Sequence, residues 1–464
     1  MKQLFLLIIC VLSQHLFAQD NQASTLLLKD SVSTQITLKG HLKPAKDYSW
    51  VILYRIVGAQ QRYVENTQLK AGEFSINMPE NATEGMYRLT YDLNNNGYVD
   101  FIYNKKDISL VFNPENPGNS LKFIISEENK NFKSYLADIT RNQNELDSLQ
   151  FTYFNSTDKK IAEKHYLVAY SNLQKTQANY ATKSSGTVSE SFIYSLQKYN
   201  PPVIIETAQE YLNSTKDHFF DFIDFKNPML INSTILTKKV VNYVYYLNSS
   251  EDYQIQQALY KKAMIEVFDL IKEQPMLRAE LLTTLMYGFV EMENLPLVDY
   301  LMEHYYRKLP ETAQDKEVID DIALQTKTAI GRIAPDFNYD TGKTLERFYA
   351  IETTGEIVLV FWSTSCSHCL KEIPKLHAYS KLHPSLKVVA VALEKDELGF
   401  NYYKKGLENF TNILALDKWK NPIARLYNIN TTPNYLILNR DKKIIAKPYD
   451  LEELSAYLDG LPKK

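Results

Sequence analysis

The pattern of apolar and polar positions changes character twice along the chain. From Ser33 to Gly40, polar and apolar residues alternate. Trp50–Val57 is β-branched and aromatic. Gly72–Asn77, Met86–Tyr91, Phe101–Tyr103 and Ile108–Phe112 follow, bounded by turn residues. Short strands at this spacing predict an antiparallel β-sandwich over residues 30–125, closed off by the turn-rich stretch Asn113–Gly118. The period then becomes helical. Leu259, Tyr260, Ala263, Met264, Val267, Phe268 and Ile271 fall on one helix face. Pro201, Pro202, Pro228, Pro275 and Pro296 divide residues 127–330 into the segments of an α-helical domain. Gly331–Phe337 reads as a junction, and beyond it strands and helices alternate. Ile357–Trp362 is a continuous apolar run, as in the centre of a covered sheet. A helix over 366–382, a buried strand over Leu386–Leu393 and a helix over 396–409 come next. Tyr435–Leu438 and Lys443–Ala446 flank a turn, and Asp450 caps a last helix. Residues 331–464 therefore predict an α/β domain with a mixed sheet.

Composition narrows what such a chain does. Its 464 residues suffice for several cores, and 45% apolar with 23% charged residues is a globular balance. A net charge of −3 gives no reason to expect nucleic acid or an anionic membrane as partner. Lys2, the apolar stretch Leu4–Leu12 and Ala18 form the pattern of an export signal over residues 1–18. The apolar run is too short to span a bilayer, so the expected location is the periplasm, without a transmembrane helix. Removal of the signal takes Cys10 with it and leaves Cys366 and Cys369. A bridge between residues so close in sequence closes almost no loop and adds little stability. The pair is better explained by chemistry.

Cys366 follows a buried strand and opens a helix, whose unpaired N–H groups favour a thiolate. Cys369 lies one turn further in, within reach of a mixed disulfide formed at Cys366. Thiol–disulfide exchange needs that arrangement of an attacking thiolate and a resolving thiol. It needs no cofactor. Zinc at the pair would require two more ligands, and although His368 and His377 are near, no second Cys/His cluster appears. Asp92, Asn94, Asn96 and Asp100 have the spacing of a calcium loop, with Gly97 at its sharp turn. Tyr103 stands where the bidentate glutamate belongs, and the flanks read as strands, so a hairpin turn is the simpler reading.

Ala334–Phe337, Phe361–Trp362, Cys366 with Cys369, and Thr432–Pro433 together resemble the thioredoxin superfamily, in its exported TlpA/ResA-like branch. The resemblance implies a thioredoxin fold over residues 331–464. It implies that Cys366 is the nucleophile, that Cys369 resolves, and that the two form a redox disulfide. It places Glu372 beside the buried cysteine to assist proton transfer. It makes the Thr432–Pro433 bond cis, with Thr432, Pro433 and Trp362 toward the substrate. Pro374 matches a kink in the first helix. A peroxiredoxin is disfavoured, because its proline and threonine would fall at Leu359 and Ser363. Two positions depart from the branch: His368 replaces a proline and is expected to tune the Cys366 thiolate, and Ser365 replaces an aromatic residue. The front of the chain, about 30–330, resembles the β and helical regions that precede TlpA-like domains, with Phe219–Phe225, Asn227 and Pro228 as its recurring part. The function implied is an exported thiol–disulfide oxidoreductase, reductase-like with isomerase capacity. Its partners would be envelope protein thiols and disulfides and a redox partner that supplies or takes electrons. The alternative is an envelope binding or scaffold protein, in which residues 20–330 recognise a partner and the redox domain is accessory.

Overall fold

A computed structural model describes residues 35–45, 48–156, 158–247, 249–342 and 344–461. The expected export signal and Cys10 lie outside the described residues. Among the described residues no helix is long and apolar enough to cross a membrane.

The front of the chain is β-rich, as its alternation predicts. Its strands are β1 (Thr37–Leu42), β2 (Trp50–Val57), β3 (Gln60–Gln68), β4 (Glu73–Asn77), β5 (Gly85–Asp92), β6 (Gly97–Tyr103), β7 (Ile108–Phe112) and, after the short helix α1 (Pro117–Ser120), β8 (Lys122–Ile125). They form two four-stranded sheets, β4-β1-β7-β8 and β3-β2-β5-β6. Leu38, Phe74 and Leu110 of one sheet and Val51, Leu89 and Phe101 of the other share one hydrophobic cluster. One pair departs from the antiparallel expectation: β1 runs parallel to β7. Strands β3 and β8 give no signal in the sequence because both are edge strands with mostly exposed residues. The Asp92–Asp100 segment is a hairpin turn. Asp92 accepts from the backbone N–H groups of Asn94 and Asn95, and Asp100 holds Arg88 through two bonds of 2.8 Å.

The middle of the chain is helical. It comprises α2 (Glu127–Tyr153), α3 (Lys159–Ser184), α4 (Val188–Ser195), α5 (Ala208–Asp217), α6 (Ile235–Val241), α7 (Tyr253–Leu270), α8 (Pro275–Glu291), α9 (Leu295–His304) and α10 (Lys316–Thr326). Proline opens α8 and sits in the first turn of α9, where a missing N–H costs nothing. Phe219, Phe220 and Phe225 pack with Tyr243 against this core, so the aromatic run is a packing element.

The last region contains β9 (Asn338–Asp340), β10 (Leu345–Arg347), β11 (Ile357–Trp362), α11 (Ser367–Leu382), β12 (Lys387–Glu394), α12 (Leu398–Tyr403), β13 (Thr411–Leu416), α13 (Pro422–Leu426), β14 (Asn434–Leu438), β15 (Ile444–Ala446) and α14 (Leu451–Asp459). The sheet order is β13-β12-β11-β14-β15. The β11–β12 and β12–β13 pairs are parallel, and β11–β14 and β14–β15 are antiparallel. Residues of β11 alternate between two cores. Ile357, Leu359 and Phe361 enter one, whereas Val358, Val360 and Trp362 enter the other, which also contains Cys369, Ile373 and Leu376. Strand β11 is central and α11 leaves its C-terminal end, which fixes where the cysteines stand.

The junction is not a free spacer. Gly331 donates to the Ile444 carbonyl at 2.8 Å, Ile444 donates to Arg332 at 2.8 Å, and Ala334 donates to Lys442 at 2.8 Å. This backbone runs along β15, and ion pairs Arg332–Asp299 (2.6 Å) and Lys447–Glu293 (3.9 Å) add side-chain ties to the helical region.

Candidate active site

Cys366 is the N-cap of α11, in extended backbone with φ −96° and ψ 110°. Its sulfur accepts from the Cys369 backbone N–H at 3.1 Å, in the manner of a capping oxygen. The thiol also approaches the Thr432 carbonyl at 3.3 Å, and the Thr432–Pro433 bond is cis as expected. Cys366 is partly exposed, Cys369 is buried, and both are free thiols.

Their acidities diverge. Partial burial works against the Cys366 thiolate, but hydrogen bonds from the Cys369 side chain and backbone, from Thr432 and from the His368 backbone N–H outweigh it and hold the pKa below the ordinary thiol value. Burial first, and then the Cys366 sulfur, push Cys369 up to about 12. The two sulfurs thus differ both in access and in acidity. A testable consequence concerns pH. The sign follows from the depressed value: Cys366 stays a thiolate down to lower pH, and reactivity is lost only as pH falls through that value. Iodoacetamide labelling of the reduced protein should therefore titrate below the ~8.5 of a free cysteine. Mass spectrometry should find Cys369 unlabelled over the same range. A single midpoint at or above the free value would contradict this picture.

Glu372 lies one turn beyond Cys369 on the buried face of α11. Its Oε2 accepts from the Leu451 N–H at 2.9 Å and from the Tyr435 hydroxyl at 3.4 Å. Burial raises the pKa of Tyr435, and the neighbouring Glu372 and Cys369 raise it further. Tyr435 was not legible as a site residue, since it looks like one more aromatic of a buried strand. Pro374 lies inside α11 and removes one helical N–H, as anticipated.

Two expectations are modified. Trp362 is only 1% exposed and packs in the core that holds Cys369. It cannot touch a substrate there. The alternation of β11 turns it inward, into that shared core. The His368 side chain is exposed, and what reaches Cys366 from this residue is its backbone N–H.

The loop before the nucleophile has contacts that sequence reasoning missed. Buried Glu394, at the end of β12, accepts from the Thr364 N–H at 2.5 Å. Its signal was a carboxylate that ends a strand apolar from Val388 to Leu393. A Cβ on Gly399 would lie 2.5 Å from the Thr364 hydroxyl, so α12 sits directly against the loop. Ser365 bonds Ser363 at 3.0 Å and receives the Lys418 ammonium at 2.7 Å.

Comparison with known proteins agrees with this geometry. A thioredoxin-like family model matches residues 356–444, which include both cysteines and Pro433. The thiol–disulfide oxidoreductase ResA of Bacillus thuringiensis (strain Al Hakam) is 29% identical over 153 residues, 31% of this chain and 82% of that protein. The C-terminal domain is a TlpA/ResA-like member of the thioredoxin superfamily. ResA of Bacillus cereus is also 29% identical, over 150 residues, 30% of this chain and 82% of the relative. Among solved structures, the C-terminal domain of a putative thiol–disulfide oxidoreductase from Bacteroides thetaiotaomicron is 20% identical. It aligns with 29% of this chain and 95% of its own, with a TM-score of 0.27. A domain of a possible thiol–disulfide isomerase from Cytophaga hutchinsonii is 26% identical, with coverage of 28% and 90% and a TM-score of 0.25. The family assignment concerns the TlpA/ResA-like domain, and the β-rich and helical regions precede it.

Proposed function

We propose that this thioredoxin-like oxidoreductase is exported and exchanges disulfides with proteins of the cell envelope through Cys366 and Cys369. The observation that carries the reading is the opposed state of the two sulfurs: a partly exposed, acidified cap at Cys366 above a buried, high-pKa thiol at Cys369. In the reducing direction, the Cys366 thiolate attacks one sulfur of a substrate disulfide. That S–S bond breaks, a mixed disulfide forms, and one substrate thiolate leaves. Cys369 then loses its proton and attacks the Cys366 sulfur. The second substrate thiolate leaves, and the protein holds a Cys366–Cys369 disulfide. The substrate gains two electrons, and a dithiol partner must return them. Glu372, with Tyr435 beside it, is the group suited to take the Cys369 proton. Thr432 and Pro433 are suited to hold the substrate backbone across Cys366, and His368 to tune its potential.

In the same proposal, residues 1–18 are a signal peptide, 30–125 a β-sandwich, 127–330 a helical domain and 331–464 the redox domain, located in the periplasm. The front regions would orient partners. The test is reduction of insulin disulfides and refolding of scrambled ribonuclease, with Cys366→Ser as control. Cys366-dependent exchange in either assay supports the reading, and its absence from both overturns it.

A further inference from the structure

The position before the nucleophile is occupied by Ser365, a short hydroxyl that by itself offers a substrate little. The structure supplies that place from elsewhere in the chain. Lys418 reaches back from the turn after β13 and donates to the Ser365 hydroxyl at 2.7 Å. Ser365 in turn bonds Ser363 at 3.0 Å, and Cys366 donates its N–H to the Ser363 carbonyl at 3.1 Å. The ammonium is therefore tied into the loop that carries the attacking sulfur.

The turn is built to keep it there. Asp417 and Lys418 both adopt left-handed backbone, with φ of 68° and 48°. Neither is glycine, so the surroundings must stabilise a conformation that costs energy. Lys420 donates to the Asp417 carbonyl at 2.9 Å, and Asn421 donates to Lys418 at 3.1 Å through its backbone and to Leu416 at 2.8 Å through its side chain. Lys418 is half-buried while Asp417, Trp419 and Lys420 beside it are exposed, so its stem lies along the protein. An ammonium has three donors, and Ser365 uses one. The other two are left for further acceptors near the loop that carries Cys366.

We propose that Lys418 is a specificity-determining residue, which selects extended polypeptide substrates carrying an acidic side chain beside the cysteine to be attacked. The inference rests on the exchange reading above and names its substrate class. A polypeptide fits better than a small molecule because the same loop also abuts a helix with exposed apolar side chains. Leu398 is 80% and Tyr402 is 72% exposed, one turn apart on α12, the helix whose Gly399 abuts Thr364. Glu394, the carboxylate bound to this loop, is buried behind it on the Thr364 N–H, which leaves the ammonium to meet a carboxylate from solvent.

Three peptides, identical but for Glu, Gln or Lys next to one cysteine, would be presented as disulfides with 2-thiopyridine. Attack on the peptide sulfur releases neutral thiopyridone, read by absorbance, and Cys369 then frees the peptide thiol. Each rate is normalised to that of the same variant with bis(2-pyridyl) disulfide. Exposed charge pairs are weak, so the second-order rate constants of the pre-reduced protein in a single turnover should fall in the order Glu above Gln above Lys, with steps of about threefold at low salt. The spread should shrink at ~1 M salt, where screening acts within ~3 Å. Lys418→Glu should reverse the order, and Lys418→Arg should keep it. A flat order in the parent protein, or an order unmoved by Lys418→Glu, overturns the proposal. Failure of the neutral disulfide to react in a Cys366-dependent way overturns the exchange reading and this inference with it.

Discussion

Cys366→Ser should reduce exchange to the uncatalysed background, whereas Cys369→Ala should stop the protein after its first step with the substrate still attached. The difference follows from the geometry of the two sulfurs. Cys366 alone is both accessible and acidified, so its loss removes the only competent nucleophile among the described residues. A serine hydroxyl in its place would cap α11 equally well but is not ionised at neutral pH. Cys369 is buried and has no direct access to substrate. Its loss leaves the first attack intact and removes the resolving thiol, so a covalent complex accumulates. Non-reducing electrophoresis of Cys369→Ala with insulin should show a high-mass species that disappears on adding dithiothreitol. The species should be absent from Cys366→Ser. A Cys369→Ala protein that turns over like the parent would refute the two-cysteine cycle.

Glu372→Gln should slow resolution of the mixed disulfide by roughly 10²-fold, the lower end of what a positioned proton acceptor contributes. The attack by Cys366 should be spared, because the hydrogen bonds that acidify it come from Cys369, Thr432 and His368. Stopped-flow kinetics of a pre-formed mixed disulfide would isolate the second step. The competing role for Glu372 is visible in the structure, where it receives the first-turn N–H of α14. A hydrogen bond to a charged acceptor contributes about 1.5–3 kcal/mol. If that were its whole purpose, Glu372→Gln would lower the thermal midpoint and leave resolution unchanged. Measuring both quantities on one variant separates the two.

What the sequence disclosed follows the physics of burial. The strand β11 was legible because a covered central strand must be apolar on both faces, and its next residues then had to be a loop and a helix carrying Cys366. The hairpin β14–β15 and the Asp450 cap were legible for equally local reasons. Strand β13 was not, because it is a partly exposed edge strand whose pattern is weak. Edge strand β3 failed for the same reason, with polar residues on both sides. In the site, the two cysteines announce themselves by spacing and type, whereas Pro433 is found only through the family resemblance. Glu394, Lys418 and Tyr435 lie some 28 to 69 positions from Cys366 in sequence and reach the site only through sheet order, which periodicity does not report. Trp362 was misjudged because a motif places a residue along a strand without saying which side it faces.

The strip of backbone from Gly331 to Ala334, which looks in sequence like a tether, has a consequence for how the molecule avoids pairing with other chains. The outer rim of β15 would otherwise present unpaired N–H and C=O groups, a ready template for another chain. The incoming segment occupies that rim, so this edge of the redox domain is sealed by its own neighbour. An open rim of that kind would be available to any extended chain that met it. That flank is already taken, so the domain carries its own guard against unwanted strand pairing there.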